Sequence, residues 1–290
     1  DFGVASNPEF LREGAAIQDF MRPDRVVIGS NEPKAIAVMK DLYRPLYLIE
    51  TPIVITSLEA AELIKYAANA FLATKITFIN EIANLCDAIG CDVHDVARGM
   101  GMDNRIGRKF LHPGPGYGGS CFPKDTRALT TVADKFNVET RIVDAVIDAN
   151  DRQRDAMIPK IEKLVGDLNG KRIGVLGLSF KPETDDMRES PAIDIVHSLI
   201  EKGATVSAFD PVAMDEAKHF INGIEYAEDE YEAISGADAM VIITEWNQFR
   251  ALDLGKVKSL LKKPCIADLR NIYEPDDIRA LGFEYVGVGR

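Results

Sequence analysis

The stretch Lys171-Arg172-Ile173-Gly174-Val175-Leu176-Gly177 decides the fold class of this chain, because its apolar run predicts a buried strand of a parallel sheet. A helix is predicted at 191–202, and a second strand at 205–210 ends in Asp210, as strands of nucleotide-binding folds often do. Further strands are predicted at 239–243, 264–268 and 285–288. This alternation of strand, loop, helix and strand predicts a small doubly wound α/β domain.

The turn after the first strand carries only part of a dinucleotide-binding fingerprint. Gly174-Val175-Leu176-Gly177 lacks the third glycine, and the helix begins only after Lys181, Asp186 and Arg188. A loop this long fits poorly to a pyrophosphate that sits directly on a helix N-terminus. We therefore expect a nucleotide-related site here, and a generic Rossmann-type reductase that uses this turn is the weakest functional hypothesis.

Upstream, residues 1–54 have the pattern of the end of an α/β unit. Val26–Gly29 predicts a buried strand, Lys34–Leu42 a helix, and Ile53–Ile55 a second short strand. Because Asp1 stands where an initiator Met would be, we expect the chain to start within a fold.

One long helix is predicted from Ser57 to about Gly90, since Ser suits an N-cap, Gly suits a C-terminal stop, and neither Gly nor Pro interrupts between them. An advance of 100° per residue places Lys65, Asn69 and Asn80 within about 60° of one another. This polar stripe is either the solvated side of the helix or a set of groups directed into a pocket. A solvated side normally carries Glu and Lys in quantity, so the pocket is at least as well supported.

The glycine- and proline-rich segment 113–119, called the glycine hinge below, lies just before the thiol of Cys121 and marks the candidate site. Pro113-Gly114-Pro115-Gly116-Tyr117 cannot form helix or central strand, and Gly118-Gly119-Ser120-Cys121-Phe122-Pro123-Lys124-Asp125 follows it directly. The glycines allow a tight turn, so the Cys121 sulfur could be presented beside an amine and a carboxylate. The alternative is an ordinary loop with a buried cysteine, which is the commoner fate of a lone Cys.

The remaining helices are predicted at 92–98, 126–136 and 140–165, and the last is polar and long enough to join two lobes. Three cations, Arg105, Arg108 and Lys109, precede the glycine-rich loop. Their charge, together with N–H groups of the loop, could hold a phosphate.

Composition excludes several classes of protein. The 290 residues suffice for two domains, or for one domain with a large extension, and no apolar run approaches the roughly 18 residues that span a bilayer. The net charge of −12 makes nucleic acid a poor partner. The four cysteines fit neither a zinc pair nor a disulfide framework, and we predict no metal site. Because no signal peptide is visible, we expect a reducing cytoplasm. Cys86, Cys91 and Cys265 are assigned to core positions.

Four motifs, in this order along the chain, resemble the UDP-glucose 6-dehydrogenase family. They are Asn7–Gly14, Glu62–Phe71, Gly116–Asp125, and Phe180-Lys181 with Arg188-Glu189-Ser190. The GDP-mannose and UDP-N-acetylmannosamine branches of the related dehydrogenases look less similar. The resemblance covers essentially the whole chain.

The resemblance implies an α/β fold in three parts. Residues 1–54 would be the trailing part of a Rossmann-like NAD-binding domain, 55–165 a helical central and dimerisation domain with the Cys loop, and 166–290 a doubly wound UDP-sugar-binding domain. It implies NAD as the cofactor, oxidation of UDP-glucose to UDP-glucuronate, and a homodimer. An alternative stays open, in which the chain is a UDP-sugar-binding dimerisation fragment without turnover because most of the NAD domain is missing.

The resemblance also implies roles for individual residues. Cys121 would capture the aldehyde as a thiohemiacetal that is oxidised to a thioester. Lys65 and Asn69 would stabilise charge on the substrate oxygen, Asp125 would orient a water, and Glu9 would assist hydrolysis. By spacing alone, Glu9 and Glu13 would be only a solvated helical face.

Further positions are implied to contact ligands. The substrate-pocket positions are Leu11, Glu13, Arg105 acting in the neighbouring subunit, His112, Tyr117, Gly118, Phe180, Lys181 and Arg270. Lys124 and Arg188 resemble cofactor contacts. Trp246 could stack on a base, but packing is the preferred interpretation.

Overall fold

A computed structural model describes residues 2–290, with the side chains of 47–49 outside the description. The chain forms two compact units, one ending at Phe71 and one spanning Leu72–Arg290. Every helix among the described residues is too short or too polar to cross a membrane.

The first unit holds a two-stranded parallel sheet. Strands β1 (Val26–Gly29) and β2 (Ile53–Thr56) pair in register. Helices α1 (Ala16–Met21) and α2 (Pro33–Leu42) and a short 3₁₀ helix (Arg44–Ile49) complete it. All four residues of β1 are buried, while the first three of β2 are exposed. The predicted strands and the predicted helix of this region are confirmed.

Helix α3 (Leu58–Ile89) begins in the first unit and ends in the second. The Ser57 hydroxyl accepts a hydrogen bond from Ala60 N at its start, and Gly90 adopts φ +78° at its end, which is the left-handed stop that glycine favours. The prediction of one long helix is therefore confirmed.

The central helices differ from the prediction at two points. They are α4 (Val93–Gly101), α5 (Phe122–Lys135), α6 (Arg141–Asp155) and α7 (Met157–Val165). Helix α5 begins four residues before the predicted Thr126, because proline is well tolerated in a first turn and Pro123 lies there. The single helix predicted at 140–165 is wrong: Pro159 has no N–H to donate to the Asp155 carbonyl, and the helix breaks at Ala156.

The second unit contains a six-stranded parallel sheet with the order β5-β4-β3-β6-β7-β8. Its strands are β3 (Arg172–Leu176), β4 (Thr205–Phe209), β5 (Glu225–Tyr226), β6 (Ala239–Ile242), β7 (Cys265–Asp268) and β8 (Glu284–Val286). Helices around it are α8 (Pro191–Glu201), α9 (Met214–Phe220), α10 (Glu230–Ile234), α11 (Asn247–Arg250), α12 (Leu254–Leu260) and α13 (Pro275–Ala280). This is the doubly wound order, with the reversal between β3 and β6, and the predicted fold class is confirmed.

Each face of the six-stranded sheet has its own core because alternate side chains of a strand point to opposite faces. Val175 belongs to one core, which also contains Ile79 and Met157 from α3 and α7. Leu176, the next residue, belongs to the other core with Phe249. Strand β5 is the one strand of this sheet that the sequence did not predict, since two residues carry no periodic signal.

Candidate active site

The glycine hinge is held by polar side chains of α3 and α6. Gly114 N donates to Asn80 Oδ1 at 2.8 Å, and Gln153 Nε2 donates to Gly114 O at 2.9 Å. Tyr117 N donates to Asn150 Oδ1 at 2.7 Å, while Asn150 Nδ2 donates to Tyr117 O at 3.2 Å. These three side chains are buried. The loop backbone therefore has the satisfied hydrogen bonds that an irregular buried segment requires.

Arg154 connects the hinge to the segment before α8. Its Nη2 donates to Tyr117 O at 3.1 Å and to Glu189 O at 3.2 Å, and its Nη1 pairs with Asp194 at 2.6 Å. The side chain is only 10% exposed. Hydrogen bonds from a charged donor are stronger than neutral ones, so this residue fixes two loop carbonyls relative to each other.

Two glycines of the hinge lie where no side chain fits. A Cβ on Gly118 would lie 2.2 Å from Glu189 O, and one on Gly119 would lie 2.6 Å from the Phe180 ring. Gly119 also adopts φ +81° and donates its N–H to Arg188 O at 3.0 Å. These contacts explain why the sequence places Gly at both positions.

Cys121 follows this hinge at the N-terminus of α5. It is partly exposed, and its Sγ lies 3.7 Å from Ser120 Oγ. The positive end of a helix dipole favours negative charge at such a position. Because the Cys121 side chain is partly exposed, it is not the buried cysteine of the alternative interpretation, while its catalytic role stays a prediction.

Asp125 and Lys124 lie one turn further along α5. Asp125 is 2% exposed at its side chain and pairs with Lys124 Nζ at 2.5 Å, while the Lys124 side chain is 68% exposed. Asp125 N donates to Cys121 O, as expected for residues one helical turn apart. A buried carboxylate thus lies on the same helical face as the thiol.

Three predicted ligand contacts lie close to the hinge. Phe180 contacts Gly119, and Lys181 Nζ lies 5.2 Å from the centre of the Phe180 ring. Arg270 donates through Nη2 to Phe180 O at 3.2 Å and through Nε to Ile243 O at 2.7 Å. The structure therefore groups Tyr117, Gly118, Phe180, Lys181 and Arg270 around one loop.

Three further predicted ligand contacts lie at the surface. His112 is exposed at the start of the hinge. The Arg105 side chain is 89% exposed and pairs with Asp103 at 2.5 Å, so the structure does not join it to the hinge. Arg188 makes a two-bond contact with the Asp186 carboxylate and is 61% exposed.

The predicted site residues of the first unit are Glu9, Leu11, Glu13, Lys65 and Asn69. Lys65 Nζ donates to Glu9 O at 2.6 Å and pairs with Glu9 Oε1 at 3.2 Å. Asn69, one turn beyond Lys65, is 8% exposed. Leu11 and Glu13 are exposed, and Leu11 N donates to Glu9 Oε2.

The interpretation of the α3 stripe as a solvated face is wrong. The Lys65 side chain is 17% exposed, Asn69 is 8% exposed and Asn80 is 2% exposed. In the second unit, the Asn80 carbonyl supports the hinge through Gly114.

Sequence reasoning missed the α6 contribution to the site. Asn150, Gln153 and Arg154 were assigned to a polar connecting helix, yet all three are buried against the hinge. Their spacing of i, i+3 and i+4 places them on one helical face, and that spacing was the available signal.

Curated relatives cover the whole chain. UDP-glucose 6-dehydrogenase of Rhizobium meliloti (strain 1021) is 56% identical over 293 residues, which span all of this chain and 67% of the relative. UDP-glucose 6-dehydrogenase TuaD of Bacillus subtilis (strain 168) is 49% identical, and the chain covers 62% of its length. The chain belongs to the UDP-glucose/GDP-mannose dehydrogenase family. It spans about two thirds of the length of these two dehydrogenases.

Family models and solved structures agree with this assignment. The NAD-binding domain of the UDP-glucose/GDP-mannose dehydrogenase family matches residues 1–47, the central domain 59–152, and the UDP-binding domain 174–275. A UDP-glucose dehydrogenase from Pyrobaculum islandicum superimposes with a TM-score of 0.90 at 38% identity, covering all of this chain and 64% of that one. A UDP-D-ManNAc dehydrogenase from Pyrococcus horikoshii gives 0.84 at 27% identity, covering all of this chain and 65% of that one. The predicted family is confirmed, while the domain boundaries at 54 and 165 stay a proposal.

The loop after β3, which carries the partial fingerprint, is held by the carboxylate of Asp210. Asp210 is fully buried, and its two oxygens accept hydrogen bonds from four backbone N–H groups, the Ser179 hydroxyl and Trp246 Nε1. The turn glycine Gly177 packs on Thr244, where an added Cβ would lie 2.5 Å from the Thr244 Cβ. Asp210 is therefore a structural clamp for the loop after β3 and is not available to a ribose, which argues against a reductase that uses this turn.

Two expectations about single residues have clear outcomes. Trp246 is 5% exposed and packs in the second core, as expected for a packing role. Cys86 and Cys265 are buried as predicted, but the prediction for Cys91 is wrong. Cys91 is exposed because it follows Gly90, where the chain leaves α3.

Proposed function

We propose that this chain carries the thiol centre and the UDP-sugar-binding domain of an NAD-dependent dehydrogenase that oxidises UDP-glucose to UDP-glucuronate. The observation that carries the proposal is the partly exposed Cys121 at the start of α5, behind a hinge fixed by four side chains. The names of the relatives at 56% and 49% identity support UDP-glucose as the substrate.

The chemistry of a thiol suits oxidation of an alcohol to an acid. Loss of a hydride and a proton from the primary alcohol of UDP-glucose would first give an aldehyde. The Cys121 sulfur would add to the aldehyde carbon, and the thiol proton would pass to the former carbonyl oxygen, giving a thiohemiacetal. Loss of a hydride from that carbon and of the hydroxyl proton would leave a thioester. Water would then cleave the thioester, releasing UDP-glucuronate and restoring the thiol.

NAD, when bound, would accept the hydride that leaves in each of the two oxidation steps. Residues 1–47 match the NAD-binding domain of the family. Lys124 and Arg188, the residues we assign to cofactor contact, are 68% and 61% exposed at their side chains, so both could face an anionic group. Each also has a carboxylate neighbour in the second unit.

Other residues would act on charge and on water. We assign Lys65 and Asn69 to stabilisation of charge on the substrate oxygen, because an amine and an amide one turn apart can both donate to one oxygen. Asp125 would orient the hydrolytic water, and Glu9 would assist hydrolysis. The Lys65–Glu9 pair supports a shared role for these two groups in the first unit.

The UDP-sugar would be bound around the hinge. The contacts we assign to it there are His112, Tyr117, Gly118, Phe180, Lys181 and Arg270. Leu11 and Glu13 are assigned to the substrate from the family resemblance alone. The match of 174–275 to the UDP-binding domain supports this part of the proposal.

We also propose a homodimer, with Arg105 reaching the substrate of the neighbouring subunit. Phe78, Leu85 and Ile89 of α3 are 46%, 53% and 66% exposed, and their spacing of seven and four places them on one face. Such an apolar stripe marks an interaction surface. Leu85→Glu should convert the dimer to monomers in analytical ultracentrifugation, whereas Ile142→Glu, at an exposed apolar position of α6, should leave it intact.

Titration separates this function from the alternative of a binding fragment without turnover. Calorimetry with UDP-glucose and with NAD tests the two sites separately. Binding of both, with two NADH formed per UDP-glucuronate, supports the dehydrogenase, whereas binding of UDP-glucose alone supports the fragment. Cys121→Ser should abolish turnover and keep UDP-glucose affinity, and turnover by this variant would refute the thiol mechanism.

A further inference from the structure

Two cysteines meet where α3 ends, away from the hinge and from Cys121. Gly90 N and Cys91 N both donate to Cys86 O, at 2.8 Å and 3.2 Å. With Gly90 at φ +78°, this is a Schellman-type helix end, in which the side chains of the first and sixth residues are frequently in contact, and here they form a hydrogen bond. Those residues are Cys86 and Cys91.

The backbone holds both residues in place. Cys86 lies in the main core and is 2% exposed, while Cys91 is exposed. Asp92, the next residue, accepts a hydrogen bond from His94 N and pairs with Arg290 at 2.9 Å. The backbone hydrogen bond from Cys91 N to Cys86 O and the hydrogen bond between the two side chains place these cysteines next to each other, as a disulfide requires.

Both thiols line one open cleft of about 800 Å³, between the end of α3, α7, α13 and β8. A cleft of this volume admits a small organic molecule. Five carboxylates and three cations line it: Asp87, Asp92, Glu274, Asp276 and Glu284, with Lys163, Arg279 and Arg290. This balance favours a neutral or cationic reagent over an anionic one.

We propose that Cys86 and Cys91 form a reversible disulfide by exchange with a low-molecular-weight disulfide that enters this cleft. The exposed Cys91 thiolate attacks one sulfur of the reagent and expels the first reagent thiolate, giving a mixed disulfide. Cys86 sulfur then attacks Cys91 sulfur and expels the second. The two protein thiols are oxidised, the reagent is reduced to two thiols, and the two thiol protons pass to the leaving thiolates.

The burial of Cys86 determines the order of these steps and the persistence of the bond. Burial, and then the neighbouring Cys91, raise the pKa of Cys86 to about 11. The exposed Cys91 therefore attacks the reagent and is modified first, and Cys86 then resolves the mixed disulfide. In the reverse direction Cys86 would be a poor leaving group, so the bond should resist reduction by monothiols.

Peptide mapping of the full chain tests the proposal, with cystamine as the reagent. Trypsin cleaves after Lys75 and Arg98 with no site between, so one peptide holds both cysteines, while Cys121 lies in another. After oxidation and blocking of free thiols, the two cysteines of this peptide should carry no blocking group. The mass of the peptide should be lower than that of its reduced form by two hydrogen atoms. Cleavage before Asp87, which lies between the cysteines, should then give two fragments joined by a reducible bond.

Single variants distinguish this route from nonspecific oxidation. Cys86→Ser should retain the reagent on Cys91 as a mixed disulfide, and Cys91→Ser should leave Cys86 unmodified. Cys265→Ser, at a buried thiol of β7, should behave as the parent chain does. Cystamine should react about tenfold faster than the anionic oxidised glutathione at low salt, with a smaller ratio at high salt.

The result that overturns the proposal is a parent chain in which Cys91 keeps the reagent, as in Cys86→Ser, or in which both thiols stay free. Circular dichroism of each variant confirms that it is folded. The outcome is independent of Cys121, so it stands or falls apart from the dehydrogenase function.

Discussion

Replacing Gly118 by Ala tests whether the hinge is as tightly packed as its contacts imply. The added Cβ would lie 2.2 Å from Glu189 O and 3.1 Å from the Pro191 Cδ. Both are atoms of constrained backbone or ring, so one segment must move by about 1 Å to restore van der Waals separation. Overpacking of this kind costs about 2 kcal/mol, which is a decrease of about 6 °C in the unfolding midpoint.

The control for this variant is Gly99→Ala. Gly99 lies in α4, and nothing lies within 4 Å of the position that its Cβ would take. Ala is the better helix former, so this change should raise stability by about 0.5–1 kcal/mol. The pair therefore separates crowding from the general effect of removing a glycine.

Two measurements follow the change. Urea unfolding monitored by circular dichroism gives the stability of each variant. The labelling rate of Cys121 by iodoacetamide should change severalfold in Gly118→Ala, because the sulfur lies three residues beyond the displaced backbone, while exposed Cys91 should label at an unchanged rate. Gly118→Ala with parental stability and parental Cys121 labelling would refute the packing argument.

Three further changes test the contacts around the hinge. Arg154→Met should cost about 3 kcal/mol, because it leaves the carbonyls of Tyr117 and Glu189 without a charged donor, whereas Arg152→Met, at a side chain 75% exposed, should change stability by less than about 0.5 kcal/mol in the same urea titration. Trp246→Phe should cost about 2 kcal/mol by the same measurement, because Asp210 loses one donor and the core loses volume, and a cost near zero would contradict the clamp. The hydrogen bond from Arg127 lowers the pKa of Glu189. The contribution of the ionised Glu189 to the free energy of unfolding should therefore be complete at neutral pH and disappear as pH falls through the folded-state pKa. The difference in melting temperature between the parent and Glu189→Gln should accordingly shrink in acid, and a constant difference would contradict this linkage.

The fold was largely predictable because its signals are local. Helix α3 has no Gly or Pro over its whole length, and the strands of the six-stranded sheet are short apolar runs between turns. The errors fall where local signals are weak or compete. The glycines just before α5 indicate a turn, so the sequence placed the start of this helix too late. The break at Ala156 depends on Pro159, which is the third residue of the next helix.

The chemistry-bearing loop was predictable, but its support was not. Two glycines before a thiol form a contiguous pattern, whereas Asn150 and Arg154 reach Tyr117 across 33 and 37 residues. Asp210 is a second residue whose partners lie far away in the sequence. An acid at a strand end is typical of ribose binding, but the Trp246 donor comes from 36 residues away and the loop amides of 178 and 179 from 32 and 31. Only the tertiary structure shows that its hydrogen-bonding capacity is used.

Protection of Cys121 by UDP-glucose tests most directly whether this thiol lies at the UDP-sugar site. The full chain is labelled with iodoacetamide under reducing conditions, with and without UDP-glucose, and the modified peptides are quantified, with exposed Cys91 as the internal reference. We expect that UDP-glucose slows labelling of Cys121, that free glucose in a parallel reaction does not, and that Cys91 is labelled at the same rate throughout. Equal labelling of Cys121 in all three conditions would contradict the placement of this thiol at the UDP-sugar site.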